Sequence, residues 1–201
     1  MTIQELYERL SDKDFLDPST GNLFSRAYMY LYDAEKEYEI REEIEDLKNR
    51  LIRPDIYRNI LIVDLFKTFN DFLASSQYGK HGSFLDFIEK QEQKDPDKVA
   101  ETLKRQARGD NFLKYLNEKI ETHFDSSGAY EVGYVMIHGL GAIFPYIRTS
   151  KFLSSFEKYY MDNQKYKLIL FYPGTAEKID VKLFGEMEDA NPYRAIKLIN
   201  E

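Results

Sequence analysis

The run Asn59-Ile-Leu-Ile-Val-Asp-Leu-Phe66 constrains the fold more than any other stretch. Its branched apolar residues fall on both parities, so a strand made of them has no polar face and needs cover on both sides, as strands of parallel sheets do. It runs directly into Phe66, Phe69, Phe72 and Leu73, which repeat at helical spacing. The same succession appears elsewhere. "RAYMYLY", Arg26 to Tyr32, reads as a buried strand ending at Asp33, followed by a helix with Ile40, Ile44, Leu47 and Leu51 on one side and Pro54 as its stop. "YVMIHGLGAIFPYIRTSKFL", Tyr134 to Leu153, reads as a strand, a glycine break and a helix that restarts after Pro145. "YKLILFY" is a further strand, ended by a turn at Pro173-Gly174 in which proline presets φ and glycine takes the left-handed position, and the alternating "KIDVKLF" follows. "ANPYRAIKLINE" is too short to assign.

Strands alternating with helices imply an α/β fold of three layers, with a mostly parallel sheet of about four to five strands flanked by helices in a Rossmann-like arrangement. From Gly82 to Phe124 the pattern is helical only, so residues 82–124 read as a helical insertion between the second and third strands of a single domain spanning 1–201. At the front, Thr2 and Glu5 form a capping box for a short helix with Ile3, Leu6, Tyr7 and Leu10 on one stripe. The run "EKEYEIREEIEDLKNR" reads as the solvated face of one helix, its mixed charges needing no partner.

Composition removes several function classes. The chain has no cysteine, which excludes disulfides, thiolate zinc sites and cysteine nucleophiles and fits a reducing cytoplasm. Its N-terminal stretch is acidic and amphipathic, unlike a secretory signal, and no apolar run approaches a membrane span. A formal charge of -7 opposes a broad footprint on nucleic acid. His81, His123 and His138 lack metal-ligand spacing, so no metal and no cofactor is expected.

In an open parallel sheet, ligands sit beyond the carboxyl ends of the strands. Asp33, Asp64, the segment His138 to Gly141, and Tyr172 with Gly174 should gather there, with Arg148 and Lys151 behind a helix start near Phe144 that could receive an anion. The opposing chemistry is specific. A P-loop needs Gly-Lys-Ser/Thr, which is absent, and a dinucleotide turn needs a small residue where Phe144 stands. A tight turn is the simpler reading of Gly139 and Gly141. His138 has the position of a general base but no nucleophile elbow beside it. Asp33 and Asp64 suit magnesium, yet acids at such places also cap the next helix, and capping is favoured.

Taken in order, "YMYLYDAEKEYEIREEIEDLKNRL", "NILIVDLFKTFNDFL", "YVMIHGLGAIFPYIRTSKFLSSF", "KLILFYPG" and "LFGEMEDANPYRAI" resemble the successive blocks of the BrxB proteins of bacterial BREX, or bacteriophage exclusion, systems. The most specific parts are Gly139, Gly141, Phe144, Pro145, Ile147 and Arg148, then Phe171 to Gly174, Leu183 to Gly185, and Tyr193 with Arg194. The resemblance implies a small cytoplasmic component of a multi-protein phage-defence system, accompanied by a PglZ-like protein of the alkaline-phosphatase superfamily, a large ATPase and an adenine methyltransferase. No enzymatic activity comes with it. The expectation is a non-enzymatic adaptor that binds other BREX proteins, foremost the PglZ-like one, with no membrane contact. The alternative is a phosphate- or nucleotide-sensing domain that uses the glycine turn and Arg148.

Overall fold

The computed structural model describes residues 1–16, 26–80, 82–126, 133–161, 163, 165–177, 180–189 and 195–198. The chain enters through α1 (Ile3–Ser11) and the single turn α2 (Lys13–Leu16). Thr2 caps α1 by accepting from the Glu5 amide at 3.2 Å, while the Glu5 carboxylate accepts from the Thr2 amide at 2.6 Å. Both arms of the expected capping box are present. Strand β1 (Ala27–Tyr32) leads through a short 3-10 turn, Ala34–Lys36, into α3 (Glu37–Leu51). Then come β2 (Asn59–Asp64) and α4 (Leu65–Ser75). Next are α5 (Phe84–Glu92), α6 (Pro96–Ala107) and α7 (Asp110–Ser126), which occupy the region where only helical patterning is expected. The chain continues with β3 (Gly133–His138), α8 (Leu140–Ile143), α9 (Thr149–Tyr160) and β4 (Tyr166–Glu177). It closes with β5 (Asp180–Leu183), β6 (Met187–Asp189) and β7 (Ile196–Lys197).

Five strands run parallel in the order β2-β3-β4-β1-β7, and β5 and β6 extend the sheet as antiparallel strands beside the far end of β4. The sheet is therefore mixed, with seven strands among the described residues where about four to five are expected. The strands beyond that expectation, β6 and β7, have three and two residues, too few for a periodic signal. The order also differs from the 3-2-1-4-5-6 order of dinucleotide-binding sheets.

Alternate strand residues face opposite layers. Tyr28, Tyr30 and Tyr32 of β1, Tyr134 and Met136 of β3, and Ile169 and Phe171 of β4 pack with α1 and α3. Met29, Val135, Ile137, Leu168, Leu170 and Tyr172 pack instead with α4 to α9. Helices thus cover both faces, which is why β2 and β4 read as continuous apolar runs. The Tyr134 hydroxyl donates to the Leu10 carbonyl at 3.0 Å, a buried tie between β3 and α1. No helix among the described residues is long and apolar enough to cross a membrane.

Two local expectations are corrected. First, β4 does not turn at Pro173-Gly174. It continues to Glu177, changing partners from β1, where Pro173 is the last paired residue, to β5, where Gly174 is the first. Gly174 has no positive φ. Its need for glycine comes from close approach, since a Cβ there would lie 2.1 Å from the Lys182 carbonyl oxygen. Second, the helix after Pro145 begins only at Thr149, because Arg148 is extended at φ -86°, ψ 150°.

Candidate functional site

The carboxyl ends of the strands meet where α3 and α4 begin. Asp33 accepts from the Glu35 amide at 3.1 Å and Asp64 from the Lys67 amide at 2.9 Å, so each aspartate caps the element that follows its strand. Around Asp64 lies a charged network. Arg41 makes a two-pronged contact with the Glu37 carboxylate at 2.9 and 3.0 Å and stands 3.9 Å from Asp64. The Tyr32 hydroxyl donates to Glu37, and burial together with that carboxylate raises the Tyr32 pKa.

His138 pairs in register with Asp64 and is only 9% exposed. Its Nδ1 has no hydrogen-bond partner among the described residues. Burial lowers its pKa, with Asp64 pulling the other way and Arg41 reinforcing the drop. The result is a neutral imidazole next to a carboxylate, able to accept a proton but enclosed by its own chain.

The glycine turn is a joint between elements. Gly139 sits at φ +77°, and a Cβ there would come within 2.8 Å of Asp64 Oδ1, so this one position needs both the left-handed backbone and the space. Gly141 is covered from outside. A Cβ on it would meet the Phe184 ring at 2.8 Å and the Pro173 ring at 3.0 Å. Phe184 is the first loop residue of the β5–β6 hairpin, and its amide donates to the Pro173 carbonyl at 2.9 Å. It is Phe184 that closes the turn, while Phe144, joined to Pro145 by a cis peptide bond, packs edge-on against it with centroids 6.4 Å apart.

The α9 start is occupied by the protein itself. Arg148 donates to the Glu188 carbonyl at 2.9 Å, and the Ser150 hydroxyl donates at 2.8 Å to Asp189, a carboxylate buried to all but 6%. An anion does stand near this helix N-terminus, where the dipole favours one, and it belongs to β6. The space left among Phe144, Arg148, Leu183, Met187, Glu188 and Asp189 is about 10 Å³, one water at most.

Tyr172 lies fully buried against the α9 layer. Burial, with Asp189 adding to it, raises its pKa, and its hydroxyl has no hydrogen-bond partner among the described residues. Lys151 is exposed on α9. Tyr193 and Arg194 lie outside the described residues, as does His81. The structure brings Asp64, His138 and Gly139 to one place and adds Tyr32, Glu37, Arg41, Ser150 and Asp189, which the sequence reading does not name as site residues. The i,i+4 spacing of Glu37 and Arg41 is a signal for that pair, whereas Arg41 with Asp64 and Ser150 with Asp189 join residues far apart in the chain. Among the described residues no group of three or more His, Asp or Glu side chains is placed to hold a metal ion.

The family model described as "BREX protein BrxB" matches residues 61–198, from inside β2 to just past β7, and so includes the glycine turn and the hairpin that covers it. The chain belongs to the BrxB family. The BREX protein BrxB of Bacillus cereus (strain H3081.97) is 25% identical over 205 residues, covering 99% of this chain and 96% of its own. Similarity to BrxB therefore extends through α1 and α3, which the family model leaves out. No solved structure matches this chain with statistical significance.

Proposed function

We propose that this BrxB-family chain is a non-enzymatic adaptor of a cytoplasmic BREX phage-defence complex and that it docks a PglZ-like protein of the alkaline-phosphatase superfamily through the β5–β6 hairpin. The observation that carries this reading is the state of Phe184. Its backbone lies in the left-handed region at φ +56°, the residue is 41% exposed, and Met187 on the same hairpin is 37% exposed. A bulky residue in that region costs on the order of 1 kcal/mol. A backbone outlier supports a hypothesis of function, and large aromatic residues are enriched among the side chains that dominate interfaces. Glycine would relieve the backbone at that position, and asparagine would sit there more easily than phenylalanine.

A phosphate- or nucleotide-sensing role would require the glycine turn to be open to a ligand. Phe184 and Pro173 cover Gly141, and Asp189 stands near the helix N-terminus that an anion would approach. The adaptor reading uses the same residues as a rigid base for the hairpin.

Co-expression of the tagged chain with the PglZ-like protein of its own operon tests the reading. The expected result is co-purification that survives dilution to micromolar concentration and is lost with Phe184→Ala combined with Met187→Ser. Failure of two folded proteins to associate, or association indifferent to the double variant, would count against the hairpin as the contact.

A further inference from the structure

On the face of the molecule away from α9, α1 and α3 leave an open groove of about 290 Å³ between them. Ile3 and Leu47 form an apolar floor, Glu42, Glu43 and Asp46 line the rim, and Arg50 closes one end. Arg50 is already committed. Its guanidinium donates to the Gln4 side chain at 2.7 Å and lies 3.7 Å from the Tyr7 ring centroid, so it braces α1 against α3. Among the described residues none of the three rim carboxylates has a cationic partner within salt-bridge distance, and the one ion pair within α3 is Arg41–Glu37, a turn earlier.

The solvated-face expectation for this helix rests on mixed charges at helical spacing; Asp46 with Arg50 keeps that pattern at its end, and Glu37 with Arg41 pairs at its beginning. Farther along, like charges stand three and four residues apart: Glu39 with Glu43, Glu42 with Asp46, and Glu43 with Asp46. Each such pair costs a helix about 0.2–0.5 kcal/mol. A cation placed in the groove would remove that repulsion. Tyr38, one turn before Glu42 at the start of α3 and outside the groove lining, is 82% exposed and offers an aromatic face.

We infer that this groove is a second docking surface, and that its occupant is a basic, amphipathic segment of a partner protein. The floor fits the aliphatic stems of lysine or arginine and the rim fits their charged ends, the usual division of labour for such side chains. Nucleic acid and anionic lipid are repelled by the rim, and the carboxylates are not placed to share a metal ion. Charge complementarity across an interface chiefly sets association rate and partner choice. An adaptor with one contact at the β5–β6 hairpin and another on the α1–α3 face could bridge two proteins. The inference does not depend on the hairpin's role.

The probe is a fluorescent synthetic helical peptide with leucine on one face and lysine on the other, titrated onto the full chain and followed by anisotropy. The combination Glu43→Lys with Asp46→Lys should weaken binding about tenfold, and Glu43→Gln with Asp46→Asn should weaken it less. Glu89→Lys with Glu118→Lys, the same charge change on the opposite face, should leave it unchanged, as should Phe184→Ala. Replacing the peptide's leucines by serine should abolish it, and carbodiimide should cross-link peptide lysines to Glu42, Glu43 or Asp46. Thermal melts of every variant establish that each is folded. Equal losses from the two charge reversals, cross-links elsewhere, no binding, or cross-links between two copies of the chain at the groove would each overturn the inference.

Discussion

Gly141→Ala separates a structural glycine turn from a binding one. The added methyl would stand 2.8 Å from Phe184 Cε1, 3.0 Å from Phe184 Cζ and 3.0 Å from Pro173 Cγ. Forcing a methyl into a filled site costs about 1–3 kcal/mol. Gly141 lies inside α8 and has no positive φ, so alanine there also gains about 1 kcal/mol of helix propensity. The Pro173 ring is held in β4, whereas the partly exposed Phe184 ring can swing outward, which puts the net loss near 1 kcal/mol. Phe184→Ala removes the two shortest contacts at their source. In that background Gly141→Ala should cost about 1 kcal/mol less than in the parent, within the range for side chains in contact. Urea denaturation of the four proteins, with unchanged m-values, measures this coupling. A neutral or stabilising Gly141→Ala with no coupling to Phe184 would mean that the hairpin does not cover the turn, and the turn would then be free to bind a ligand.

Two further outcomes follow from named contacts. Arg148→Ala removes the hydrogen bond to the Glu188 carbonyl and should destabilise by about 1 kcal/mol, and melting scans with phosphate, ATP, GTP and magnesium should show no shift in either protein; a parent shift that Arg148→Ala abolishes would restore the sensing reading. His138 has a lowered pKa in the folded chain, so from about pH 6.5 downward the unfolded chain takes up its proton first. Stability should therefore fall as pH drops from about 7.5 to about 5. His138→Gln should flatten part of that slope, leaving the share due to His123, whose pKa burial also lowers; an unchanged slope would show that the folded chain accommodates the imidazolium.

Local chemistry was legible in the sequence. Thr2 and Glu5 fix the first cap, the Asn59–Asp64 run demands a sheet covered on both faces, and Asp33 and Asp64 stand where strand-end acids cap. Pro173-Gly174 misled because proline followed by glycine carries strong turn chemistry, whereas glycine is needed there for the approach of a carbonyl eight residues later. Arg148 misled in another way. Placed behind a helix start that could receive an anion, it points to an external partner, yet its partner is a backbone carbonyl 40 positions along the chain. Asp189 is likewise 39 positions from the serine it accepts from, and no short-range pattern links them. Ser150 and Asp189 take their meaning from β6 folding back over the start of α9, whereas Tyr32, Glu37 and Arg41 form a local network at the end of β1 that reaches Asp64 only in the folded chain.

Hydrogen exchange of the chain alone and mixed with its operon's PglZ-like protein tests the adaptor claim most directly. Slowed exchange is expected from Lys182 to Glu188 in the mixture, with the Phe184→Ala and Met187→Ser double variant showing none. Unchanged exchange in the hairpin, at concentrations where the two proteins demonstrably form a complex, would contradict it.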